Sequence, residues 1–431
     1  MTRAHLFTIV CFAALFSSAC DQKLTVRISQ GGLQSPTLTE DVDQILMEMS
    51  KAVAIADSGS DVACAEGLTF LMDSERLPRI FTRQGPIRRL EREDGGPAPD
   101  RVAGVMTLRS VFDGPGYVKI VDSIATCGGE EITPGILGCG ALGGGSFIVV
   151  PVPPNERLPN FFPTSRDNGE LWAHEFGHTA GLEHNPPQSM SSSNFIMSGI
   201  QRFEGGQDEL TVRECVLFSL DKDPSGVPGL SGRLDDRSQP APGMPLDEFL
   251  RSRWIHGIPV MYAGREYGPA DVPALIRILD DPRGGEYMKI NAATVLGMVG
   301  RASHAADLIR FSESMRRDLG PGHLMAFDAS MMALGYLAHR TSSDEALRYL
   351  ASGTDVDLWD GFWVRAEELA LASAMGLALS GAPEARPMLD QMRTRMADEG
   401  TDPLLLAQMD YFMAAHAEIG RNGLASYYEE R

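Results

Sequence analysis

Residues 171–184 read Leu-Trp-Ala-His174-Glu175-Phe-Gly-His178-Thr-Ala-Gly181-Leu-Glu-His184. His174 and His178 are four residues apart, so a helix places both imidazoles on one face, one turn from each other, where two nitrogens reach one metal ion. Glu175 adjoins the first of them and leans over the same face, as a base for a metal-bound water would. Gly181 is able to take a left-handed conformation and stop the helix. The chain then swings back and offers His184 as a third ligand. Three neutral nitrogens leave a tetrahedral zinc ion with one open place for water, which is a catalytic arrangement. The ion acidifies that water and polarises a carbonyl, and Glu175 moves the proton from the water to the leaving amine.

The elements that hold these residues are legible in outline. Residues 169–182 have helical character, with Trp172 expected in the core. Thr39 is an N-cap candidate, with Val42, Ile45, Leu46, Met49, Val53 and Ala54 at helical spacing behind it. Between them lie short β-like runs, among them residues 117–121 and 147–151. The glycine-rich stretch 127–145 reads as a loop, and 210–220 as a further helix.

The segment 171–184 matches the extended signature of the metzincin metallopeptidases at every defining position, and Asn194-Phe-Ile-Met197-Ser-Gly resembles their methionine turn. The resemblance covers about residues 37–222. It implies an α+β metzincin-type zincin domain, one catalytic Zn2+, and Met197 as an apolar floor beneath the histidines. It also implies hydrolysis of peptide bonds in a protein or peptide substrate. No tyrosine follows Met197 closely, and residues 20–36 are too short for a prodomain.

The N-terminus has the plan of an export signal: Arg3, an uncharged run from Leu6 to Phe16, then small residues before Cys20. The ending Leu-Phe-Ser-Ser-Ala-Cys20 resembles a bacterial lipoprotein cleavage box, which implies lipidation of Cys20. Ser17 and Ala19 also satisfy ordinary signal peptidase. The expected location is outside the cytoplasm, anchored by lipid in a bacterial envelope or else secreted, with membrane contact only through the anchor. In an oxidising compartment Cys64, Cys127, Cys139 and Cys215 are candidate disulfide cysteines, with three connectivities open. A net charge of −20 argues against nucleic acid as a partner.

Residues 223–247 are dense in Pro, Gly, Ser and Asp and read as a linker. Beyond them Ala-rich helical stretches end at Gly297, Gly335, Gly376 and Gly420, about 40 residues apart, and this part resembles a HEAT-repeat array. An ordinary helical bundle is the alternative. The expected fold class is thus an α+β metzincin-type zincin domain followed by an all-α HEAT-like solenoid. Its divisions are signal 1–19, tether 20–36, catalytic domain 37–222, linker 223–247 and repeats 248–431. His256, His304, His323, His339 and His416 lie beyond the linker and are read as having no metal role. The competing function is a zinc-containing scaffold lipoprotein whose helical repeats bind a partner protein.

Overall fold

The computed structural model describes residues 21–28, 37–54, 69–72, 102–103, 105–106, 117–120, 124, 132–140, 146–150, 164–179, 182, 184, 197, 200–201, 240, 242–316, 321–359, 366–401 and 403–429. Cys20, Cys64, Cys127, Gly181, Cys215 and the expected helix over 210–220 lie outside these residues.

Backbone pairing joins five short strands in the order β2-β1-β5-β7-β6. These are β1 (Asp21–Ile28), β2 (Thr69–Met72), β5 (Tyr117–Ile120), β6 (Gly138–Gly140) and β7 (Ser146–Val149). β1 lies within the stretch expected to be a tether, and pairs in parallel with both β2 and β5. β7 runs parallel to β5, and β6 lies antiparallel to β7 at one edge. Val102–Ala103 (β3) and Val105–Met106 (β4) form a separate antiparallel pair.

Helix α1 (Thr37–Ala54) buries Ile45, Leu46, Met49 and Ala52, a one-face pattern of helical period. It packs on α2 (Thr164–Thr179), the helix that carries the histidine motif. Trp172 of α2 is 1% exposed and meets Phe147 edge to face, a core position as its sequence context predicts.

From residue 246 onward the described residues are mostly helical. After α3 (Leu246–Arg251) and α4 (Val260–Glu266) come α5 (Val272–Asp280), α6 (Glu286–Val299), α7 (Ala305–Arg316) and α8 (Pro321–Thr341). Then follow α9 (Asp344–Gly353), α10 (Ala366–Ser380), α11 (Ala385–Asp398) and α12 (Pro403–Glu429). Helices α6, α8, α10 and α12 stack in succession, and α5, α7, α9 and α11 each pack against one of them. The second set is amphipathic: α5, for example, buries Val272, Leu275 and Leu279. The first set is close-packed on small residues, since a Cβ at Gly297 would lie 2.5 Å from the Ala333 carbonyl oxygen.

The expected fold class is corrected by this structure. Most of the described residues are helical, and apart from β1 no described strand exceeds four residues. This predominance of helix conflicts with an α+β metzincin-type zincin domain. A single apolar core runs from Ile45 and Leu171 through Trp254 to Tyr428. The physical reason is one of range. A histidine motif fixes a helix and the turn after it, and carries no information about how much sheet surrounds them.

Candidate metal centre

Helix α2 is buried from Asn168 to His178, with His174 and Glu175 at 0% and His178 at 2% exposure. Asp167 stands in its first turn, where a carboxylate favours the positive end of the helix dipole. The helix ends with the Leu182 amide donating to the Gly177 carbonyl at 2.9 Å, a six-residue closure characteristic of an abrupt stop. That reversal returns His184 to the helix. Its Nε2 atom lies 3.1 Å from those of both His174 and His178, which are themselves 3.1 Å apart. The three histidines singled out from sequence are therefore brought together.

A fourth joins them. His256 Nε2 is 3.2 Å from the Nε2 atoms of both His174 and His178, and its ring centroid is 4.6 Å from that of His184. His256 was read from sequence as having no metal role, and it instead joins the group that could hold a metal ion. His256 lies 82 residues from His174, so no local spacing connects them. The only hint in the sequence is its setting. It stands in a short apolar run, Trp254-Ile-His256-Gly-Ile, outside every helix. Of the other late histidines, His304, His339 and His416 bond to backbone groups instead.

The four imidazoles can hold a metal ion. A ring nitrogen carries at most one proton, so four nitrogens in mutual contact cannot satisfy one another by hydrogen bonding. For His178 the tautomer is fixed: its Nδ1–H donates to the Leu182 carbonyl at 2.8 Å, leaving the Nε2 lone pair directed at the cluster. Nitrogens bonded to one tetrahedral ion at about 2.0–2.1 Å lie about 3.3–3.4 Å apart, close to the separations found here. Burial first, and then the fields of His178 and His174, hold His256 well below its ordinary pKa of 6.5, in its neutral ligating form.

The Glu175 carboxylate is buried beside the cluster, with Oε1 3.9 Å from His256 Nε2. Strand β6 lies directly over it. A Cβ on Gly138 would collide with the Glu175 carboxylate, and one on Gly140 would lie 2.6 Å from the Glu175 carbonyl oxygen. Two glycines flanking Cys139 thus let the strand approach the helix at the acid. Cys139 itself is disulfide-bonded. Met197 is fully buried in the core.

His256 is delivered by a stitched segment, residues 252–258. Arg253, 1% exposed, pairs with Asp167 of α2 at 2.6 Å. Strand β9 (Arg253–Trp254) pairs with β8 (Ile200–Gln201), and His256 itself bridges antiparallel to Ile136. The amides of Leu137 and Gly138 donate to the Ile255 carbonyl, and the Ile258 amide donates to that of Pro134. The Tyr287 hydroxyl of α6 donates to the Gly135 carbonyl at 2.6 Å and accepts from the Trp254 amide at 3.2 Å. Asn291 Nδ2 donates to the Ser252 carbonyl at 2.8 Å.

No protein-family model matches the chain, and neither the curated proteins nor the solved structures contain a match.

Proposed function

We propose that this protein is a zinc-dependent peptidase with Glu175 as its general base. The observation that carries the reading is the buried Glu175 carboxylate, 3.9 Å from the nitrogen at the fourth corner of the histidine cluster. An ion held for structure alone needs imidazoles but no carboxylate beside them. Zinc fits better than square-planar copper or nickel. A square of this edge would have two diagonals of about 4.4 Å, whereas five of the six nitrogen separations are 3.1–3.2 Å. Peptide bonds are the favoured substrate because residues 171–184 resemble the metzincin signature.

A bound zinc ion would supply Lewis acidity toward a water molecule and toward the carbonyl under attack. The protein does the rest. His174, His178 and His184 hold the ion, with His178 oriented through Leu182. Glu175 takes a proton from water as the water oxygen bonds to the carbonyl carbon. It returns that proton to the departing nitrogen as the carbon–nitrogen bond breaks. Burial beneath β6 keeps the carboxylate fixed in place and shielded from bulk solvent.

Export, lipid attachment at Cys20 and binding of a protein partner on the helical repeats belong to the same proposal and rest on sequence. Among the described residues, no helix is long and apolar enough to cross a membrane. A second reading, a zinc-containing scaffold, is favoured by one observation: four histidines complete a tetrahedron by themselves.

The test measures bound zinc and cleavage of casein and a peptide library, with and without chelator. The full chain and its His256→Ala variant are compared, each with and without Glu175→Ala. Chelator-sensitive cleavage that Glu175→Ala lowers by about 10²–10⁴-fold at unchanged zinc content supports the peptidase. Stoichiometric zinc with no cleavage in any variant supports the scaffold.

A further inference from the structure

His256 stands where the substrate water must be. Three histidines come from the motif, and the fourth nitrogen lies beside the carboxylate that the chemistry requires next to water. The segment bearing it runs antiparallel to residues 134–138, which lead into edge strand β6. An extended peptide adding to a strand edge uses this kind of backbone pairing. We propose that residues 252–258 are an internal pseudo-substrate, and that His256 is a displaceable fourth ligand keeping the enzyme latent. The inference rests on the peptidase reading.

Two features mark His256 as the ligand that leaves. Its Nδ1 is buried with no hydrogen-bond partner among the described residues, whereas His178 is locked by the Leu182 carbonyl. A ligating histidine without such an outer partner is the less firmly oriented one. It is also partly exposed, with its side chain at 10%; His184 is partly exposed too, whereas His174 and His178 are buried. The segment is joined to the helical array through Tyr287 and Asn291 of α6, so a partner that shifts those helices draws His256 with them.

The experiment uses the full chain loaded with cobalt(II) in place of zinc. Its visible spectrum is titrated with azide, a small anion that binds only where a coordination place is open. The parent is expected to show no change. His256→Ala and His256→Gln are expected to shift on azide addition, and imidazole added to His256→Ala is expected to restore the parent spectrum. Circular dichroism checks that each variant is folded, and the Gln variant keeps the side-chain volume. A parent that takes up azide as readily as the variants overturns the assignment of His256 as a ligand.

Cleavage is then compared with zinc bound. A rise of at least about tenfold in His256→Ala, reversed by imidazole, supports latency. Azide uptake in the variants without any rise in cleavage overturns the inhibitory role. If cleavage is absent from every variant while the azide responses differ as expected, the peptidase reading fails and the fourth-ligand assignment stands.

Discussion

Glu175 and His256 face each other across 3.9 Å, and substituting them has opposite expected effects. Glu175→Gln removes the base but keeps the shape, so cleavage falls by about 10²–10⁴-fold while bound metal is unchanged. Metal analysis of the same sample checks that no ligand was lost with it. His256 also bears on stability. In the metal-free protein its neutral form is held by burial, while the unfolded chain takes up a proton there below the ordinary value of 6.5. Stability is therefore level above that pH and declines as pH falls beneath it. Denaturant unfolding of chelated protein from about pH 8 to about pH 5 reads this directly. At this scale three of the four histidines were legible, because His174, His178 and His184 lie on one helix and its closing turn. His256 was not, because what places it is a β-bridge to Ile136 and an ion pair between Arg253 and Asp167, neither of which leaves a mark in local spacing.

Two elements position the site: strand β6 above Glu175, and the segment carrying His256. Gly138→Ala puts a methyl group where the Glu175 carboxylate lies. It should displace the acid, cost about 1–3 kcal/mol of stability and remove Glu175-dependent turnover. Thermal unfolding and cleavage on one preparation separate the two effects. Tyr287→Phe deletes the hydroxyl that joins the Gly135 carbonyl to the Trp254 backbone. Loss of that buried bridge should cost about 1–3 kcal/mol and loosen His256, seen as azide uptake by the cobalt form. The strand at 117–120 follows from alternation, that at 146–149 from a short apolar run, and helix α1 from its helical period. Residues 132–138 read only as glycine-rich loop, because their partners are tyrosines and backbone groups contributed by the C-terminal half.

On the scale of the whole molecule, described residues from both sides of the expected linker share one apolar core. The late helices were legible through their Ala-rich periodicity and spaced glycines. Their docking onto the motif-bearing part was not, because contacts of that kind depend on surfaces and not on spacing. Metal removal should therefore be felt across both parts. Chelation is expected to lower the unfolding temperature of the full chain in one transition, and calorimetry with and without chelator tests this. Among the described residues, the hydrogen bonds that reach furthest along the sequence involve the last helix. The Tyr428 hydroxyl donates to the Ile132 carbonyl at 2.6 Å, and the Ile132 amide donates to the Tyr427 hydroxyl at 3.0 Å, across 296 and 295 residues. Those two tyrosines satisfy both backbone groups of a residue only a few positions before β6. Contacts so distant in sequence close late in folding. Until those tyrosines dock, the ledge beside the histidines lacks one of its braces. Removing the hydroxyls of Tyr427 and Tyr428 is therefore expected to lower zinc uptake at a cluster neither residue belongs to, read as bound metal per chain.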